Sequence, residues 1–271
     1  MSFKRLYIFT GKGGVGKTTL SLAFTKTLKN KNKKVKLTYF KTSKLEEQTI
    51  QYQEVSDKAK QLGVETLGLD LMDSAEAYIG KKLGSKTIAH WVVKTPFFKS
   101  LINMIPGFNY LIFMGQVLEF LKADPDLILV LDSPSSGHAL TMFEATKNFN
   151  QIFQKGSLYD DTTEMLNMLK SPEFVQLNLV TLPAPLPLQE SQDFIKQVKA
   201  IENFEIKLIC NYSFQNFKEL ELPNSLQTKL KNELEALAKN EVQIDQFIPF
   251  SLALNVDDLT KELLPSMESL V

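Results

Sequence analysis

A chain of 271 residues with 44% hydrophobic content buries one sizeable core, and an α/β unit of this length is expected to stay a single domain over 1–271. Its 31 basic and 31 acidic side chains leave no net field to draw it to nucleic acid or anionic lipid, so any such attraction would have to be local. Arg5 is the only arginine, which leaves lysine to supply any catalytic cation, and with no signal-peptide pattern and no run of about 18 apolar residues a cytoplasmic protein is expected, without stable membrane insertion and without nucleic-acid partners.

Short apolar runs alternate with helical patterns along the chain, the signature of an α/β fold whose mostly parallel sheet carries helices on both faces. The first run, "RLYIFT", passes directly into "GKGGVGKTT" and then into a helix marked by Leu20, Phe24 and Leu28. A strand, a Gly-rich turn and a helix in that order make a phosphate-binding loop. Gly11, Gly13, Gly14, Val15 and Gly16 let backbone amides close around phosphate oxygens, and Lys17 can reach the β and γ phosphates. The Thr18 hydroxyl can bind Mg²⁺, with Thr19 beside it. The loop contains one lysine more than this needs, Lys12.

The second strand, "KVKLTYF", follows a cationic helix end. The interval of about 44–123 is too long for a simple crossover, and its patterns read as helical, so a helical insertion packed on the sheet is expected. Pro96 suits a helix start, Pro106-Gly107 a break between helices. The stretch "YLIFMGQVLEFL" is apolar around its whole circumference, so this helix is either buried on all sides or keeps a face for a partner. Methionines 72, 104, 114, 165 and 168 could line an adaptable apolar surface or simply fill core.

"LILVLD" places Asp132 at a strand end, the usual position for a carboxylate that holds Mg²⁺ through water, and "SPSSGHAL" follows it. Further strands are expected at "LNLVTLP", "EIKLICN" and "QFIPF". Cys210 within the fifth of these six runs reads as a buried structural thiol. The closing "NVDDLTKELLPSMESLV" is acidic and lacks the basic amphipathic character of a membrane helix.

The loop "GKGGVGKTT" resembles that of the deviant Walker A ATPases. Within that group "DSPSSGHAL" is similar to the switch II D-T-A-P-T-G-H-T-L of ArsA-type ATPases, through Asp132, Gly137, His138 and Leu140, with Ser135 in the same loop. "LVTLPAPLPLQESQ" fits the family pattern at Thr181, Pro183, Leu186 and Glu190, although Ala184 replaces a family glutamate. The resemblance runs from Arg5 to about Phe250. It implies a P-loop NTPase fold with ATP or ADP and Mg²⁺ as ligands, Asp132 supporting the metal and Asn211 contacting adenine. It also implies that Lys12 reaches the phosphates of a facing subunit, in a homodimer or in a heterodimer with an ArsA-like paralogue, and that switch II (Ser135, Gly137, His138) reports nucleotide state to a protein client. Lys12, Lys17 and Asp132 are thus the expected catalytic groups.

Two departures qualify this expectation. The family's switch I aspartate position is occupied by Lys41, which removes a proton acceptor and reverses the charge, so slow hydrolysis or a purely regulatory nucleotide-binding subunit is expected; Glu46 or Glu47 could act as displaced carboxylates. With Cys210 alone, neither thiolate arsenite sites nor a C-x-x-C zinc bridge can be built in the usual way.

Overall fold

The structure, a computed structural model, describes residues 3–41, 46–217, 223–240, 242–253 and 255–271, with the backbone alone for 46–51 and 216. Its centre is a seven-stranded, wholly parallel sheet in the order β3-β2-β4-β1-β5-β6-β7. The strands are β1 (Leu6–Gly11), β2 (Val35–Lys41), β3 (Glu65–Asp70), β4 (Ile128–Asp132), β5 (Val175–Thr181), β6 (Ile206–Ser213) and β7 (Gln246–Pro249). The six expected runs all form strands. β1 and β4 are apolar nearly throughout, and β5 is buried along its whole length although it includes Gln176, Asn178 and Thr181, because helices cover both faces of the sheet.

Alternation along each strand divides the core in two. Leu6, Ile8, Leu129, Leu131, Leu177 and Leu179 point to one face. There they meet α6 (Phe108–Ala123), α7 (Ser136–Ile152), α8 (Ser157–Lys170) and α9 (Pro185–Ile201). Tyr7, Phe9, Leu37, Val130 and Ile209 point to the other, against α1 (Lys17–Asn30), α2 (Glu46–Gln61) and α11 (Val256–Glu268). The acidic C-terminal segment is thus a packed helix, with Leu263 and Met267 buried over α1. The second half also contains a 3-10 turn at Gln215–Phe217 and α10 (Asn224–Asn240), which lies beside α9.

The interval 44–123 departs from the helical expectation at one point. It contains β3, hydrogen-bonded to β2 in parallel register from Lys36↔Glu65 to Lys41↔Asp70. An edge strand need not be an apolar run, and "ETLGLD" has one β-branched residue, Thr66, with Gly68 two positions on, so it carries almost no strand signal. The other described elements of the interval are helices: α2, α3 (Leu71–Leu83), α4 (Lys86–Lys94), α5 (Pro96–Met104) and α6. Each break has its own cap. Asp70 accepts from the amides of Met72 and Asp73, Gly84 ends α3 at φ 66°, Ser85 caps α4, and Thr95 caps α5 ahead of Pro96. The expected break at Pro106-Gly107 is present, Gly107 opening α6 at φ 78°.

Of the two readings of the apolar helix, the structure takes burial. Tyr110 to Gly115, Val117, Leu118 and Leu121 are all inside, and Phe113 stacks on Phe40 with centroids 4.5 Å apart. Met114, Met165 and Met168 are likewise core, whereas Met104 stands exposed. Among the described residues no single helix is long and apolar enough to cross a membrane; α5 and α6 would suffice together but meet at a 100° bend.

Candidate nucleotide-binding site

Strand order reverses around β1, whose neighbours β4 and β5 come later in the chain, so a crevice opens at the carboxyl ends of these three strands. The loop 11–16 lies there. Gly11, at φ 148°, runs so close to β5 that a Cβ would sit 2.2 Å from the Val180 carbonyl oxygen, and Gly14 and Gly16 hold φ values of 79° and 92°. These positions need glycine for backbone reasons alone. Gly16 is the N-cap of α1 and supplies no side-chain cap, and no acid occupies the first turn. The free amides and positive end of α1 therefore face the crevice.

Thr18, in the first turn of α1, donates its hydroxyl to Asp132 Oδ2 at 2.7 Å. Asp132 terminates β4, and its other oxygen, Oδ1, is buried with no hydrogen-bond partner, as is the hydroxyl of Ser133. Burial is the main influence on this carboxyl and raises its pKa to about 6, although the Thr18 hydrogen bond and the Lys17 charge pull the other way. Lys17 itself is shifted down by its own desolvation, with Asp132 partly opposing that shift. Its ammonium donates to the Lys12 carbonyl oxygen at 2.9 Å, which folds the side chain back over the loop. Thr18 and Asp132 are thus brought together, with Lys17 close by.

A cavity of about 530 Å³ begins at Lys17, Thr18 and Asp132 and extends to Tyr39, Tyr52, Tyr110 and His138. Ser135 stands at the N-cap position of α7 without a side-chain capping bond, while Gly137 and His138 are exposed in its first turn, the imidazole centroid 6.0 Å from that of the Tyr110 ring. Thr19 turns elsewhere, lining a smaller space between α1, α2 and α11. Asn211, at the end of β6, is buried and donates to the Val15 carbonyl oxygen at 2.8 Å, its amide packed where a Cβ on Gly16 would be. Lys12 lies outside the cavity and pairs with Glu190 of α9 at 3.0 Å.

Lys41 is absent from the cavity wall. Its side chain crosses the sheet edge over Gly68, with Cε where a Cβ on that glycine would stand at 2.7 Å. Glu46 and Glu47 begin α2, but their side chains and all of 42–45 lie outside the described residues. Three features escaped sequence reasoning. The tyrosines 39, 52 and 110 come from separate elements, and only tertiary structure gathers them. The Lys12–Glu190 pair joins residues 178 positions apart. Tyr212 follows Asn211 with φ 58°, an uncommon conformation for a bulky residue and one without a sequence signature.

A parallel sheet with a phosphate loop after its central strand and an acid closing the neighbouring strand defines a P-loop NTPase. The family can be specified further, because the sequence profile described as "Anion-transporting ATPase" (ArsA) matches residues 4–248. This chain belongs to that family. It is 23% identical over 215 residues to ATPase BagA of Mycobacterium tuberculosis (strain H37Rv), covering 74% of this chain and 63% of that protein. The same figures hold for Mb3704 of Mycobacterium bovis and MT3781 of M. tuberculosis strain CDC 1551, both provisionally named ATPases. The chain therefore spans somewhat less than two thirds of the length of these curated relatives.

Proposed function

We propose that the chain binds Mg²⁺ with ATP or ADP and acts as a nucleotide-dependent dimeric switch on a protein client, with slow phosphoanhydride hydrolysis. The observation that carries this reading is the Thr18–Asp132 pair, with its unpartnered Oδ1, set beside Lys17 at the uncapped end of α1. A buried carboxylate oxygen without a donor is costly in a folded chain, and its natural complement is a hydrated cation. The residues therefore fit Mg²⁺ and phosphate. Gly11 to Gly16 with Lys17 and Thr18 hold the phosphates, Thr19 adds only its backbone amide because its side chain turns toward α2 and α11, Asp132 supports the metal, and Asn211 contacts adenine. The bound metal would neutralise charge developing on the phosphates; the chain's own part is to orient them with loop amides and Lys17.

Slow turnover follows from Lys41, which brings no proton acceptor and points across β3. Among the described residues lining the cavity, Asp132 is the sole carboxylate and is already committed to Thr18. Lys12, half-exposed and paired among the described residues with Glu190, can swing to phosphates on a facing subunit at small cost, which ties nucleotide affinity to dimerisation. Ser135, Gly137 and His138, between that cavity and α6, would convey nucleotide state toward the helical segment.

Light scattering tests the switch: mass should double with a slowly hydrolysed ATP analogue and Mg²⁺, and Lys12→Ala should abolish this while the monomer still binds nucleotide, with lower affinity. A monomer under every condition would favour a second reading, to which Lys41 also lends support: a regulatory subunit completed by an ArsA-like paralogue. Turnover assays separate lost chemistry from low need for it. Lys41→Asp should raise ATP hydrolysis at least tenfold, and rapid hydrolysis by the unaltered chain would overturn the slow-switch reading.

A further inference from the structure

Charge and apolar exposure are concentrated on one stretch that the nucleotide site does not use. Between Glu76 and Glu119 the sequence has no acidic residue, but it has five lysines and His90. The flanking acids are already engaged: Glu76 with His90 at 2.8 Å, Glu119 with Lys81, and Asp161 of α8 with Lys82 at 2.7 Å. Lys86, Lys94 and Lys99 remain exposed, with no acidic partner among the described residues. Interleaved with them are large apolar side chains that point outward. Trp91 is 75%, Phe97 76% and Met104 78% exposed, with Ile88 and Leu83 each more than half exposed.

This is the outer side of two short helices whose inner sides are well packed. Ala89 is buried on the inner side of α4, and Val93 of α4 and Phe98 of α5 pack with Ala75 and Ile112. Their outward residues are therefore not displaced core. Phe97 and Met104 are seven residues apart, two turns along one side of α5, and Ile88 and Trp91 share a side of α4.

We propose that the outer side of α4 and α5 docks on an anionic lipid bilayer as a peripheral, interfacial contact. Trp, Phe, Met and Ile beside unpaired lysines suit the headgroup boundary, where apolar rings sink shallowly and ammonium groups meet lipid phosphates. A second copy of the chain is a poorer occupant. A two-fold contact through this surface would set its unpaired lysines against their symmetry mates. The neutral overall charge does not oppose the proposal, since attraction over a Debye length depends on local charge.

Trp91 is the only tryptophan in the chain, so its fluorescence reports this surface directly. The full chain would be titrated with vesicles of mixed phosphatidylglycerol and phosphatidylcholine, with phosphatidylcholine vesicles alone, and with polyglutamate. The expected result is a blue-shifted, brighter emission and co-sedimentation with the mixed vesicles only, weakened by salt. Each of Lys86→Gln, Lys94→Gln and Lys99→Gln should lower partition about fivefold. Phe97→Ser with Met104→Ser should abolish it with the thermal midpoint unchanged. No shift with mixed vesicles would overturn the proposal, as would an equal shift with phosphatidylcholine alone. A shift with polyglutamate but not vesicles would assign the surface to an acidic protein. A rise in mass with protein concentration that Phe97→Ser removes would assign it to a second copy.

Discussion

Asp132 is the most consequential single residue, because its surroundings disfavour the ionised form that the proposed metal would need. Its folded pKa, about 6, lies above the ordinary carboxylate value, so the folded chain holds more protons than the unfolded chain between about pH 4 and pH 6. Stability from this group therefore falls as pH rises through that window and stays low at neutrality. Asp132→Asn, which keeps an acceptor for Thr18, should raise stability at pH 7.5 by about 1–3 kcal/mol, a gain that vanishes near pH 4. Thermal melts at both pH values check this; an equal gain at each would remove the ionic explanation. Near pH 6 and below, Mg²⁺ with nucleotide should release a proton from Asp132, which calorimetry in buffers of different ionisation enthalpy would detect. A milder effect belongs to Lys12. Its pair with Glu190 is exposed enough to be worth about 0.2–1 kcal/mol, so Glu190→Gln should lower the analogue concentration needed for dimerisation by up to about fivefold. An unchanged midpoint in light scattering would mean that Glu190 does not restrain Lys12.

Among the elements, those with strong local signals were legible and the one without was not. The strand–loop–helix at residues 6–30 could be read because glycine positions, the Lys17-Thr18 pair and flanking periodicity agree with one another. β3 could not, since its place at the sheet edge is set by pairing with β2 and not by its composition. Gly107 shows how a legible break acquires a tertiary meaning. Its φ of 78° was foreseeable from a Pro-Gly break, but a Cβ there would also lie 2.5 Å from Ala145 Cβ on α7. Gly107→Ala should therefore cost about 1–3 kcal/mol through strain and overpacking together. Denaturant unfolding measures it; a loss under about 0.5 kcal/mol would show that α6 and α7 can separate freely.

For the whole molecule, the question is whether the 44–123 segment is an appendage or part of one cooperative unit. α6 shares its core with β1, β4, α7 and α8, and Phe113 stacks directly on β2 through Phe40. The segment should therefore unfold with the sheet. Phe113→Ala should cost about 3–5 kcal/mol. It should also lower the midpoint seen by Trp91 fluorescence and by far-ultraviolet circular dichroism equally; separated midpoints would make the segment an independent domain. By itself the sequence determined the fold class, six of the strands, the phosphate loop and the acid that faces it, because each follows from residues near one another in the chain or from periodicity. Tertiary structure alone decided the edge strand, the burial of α6, the partner of Lys12, the direction of Lys41 and the exposure of α4 and α5. Each depends on which surfaces of distant segments meet, and pairing and packing between remote residues leave no mark in local composition.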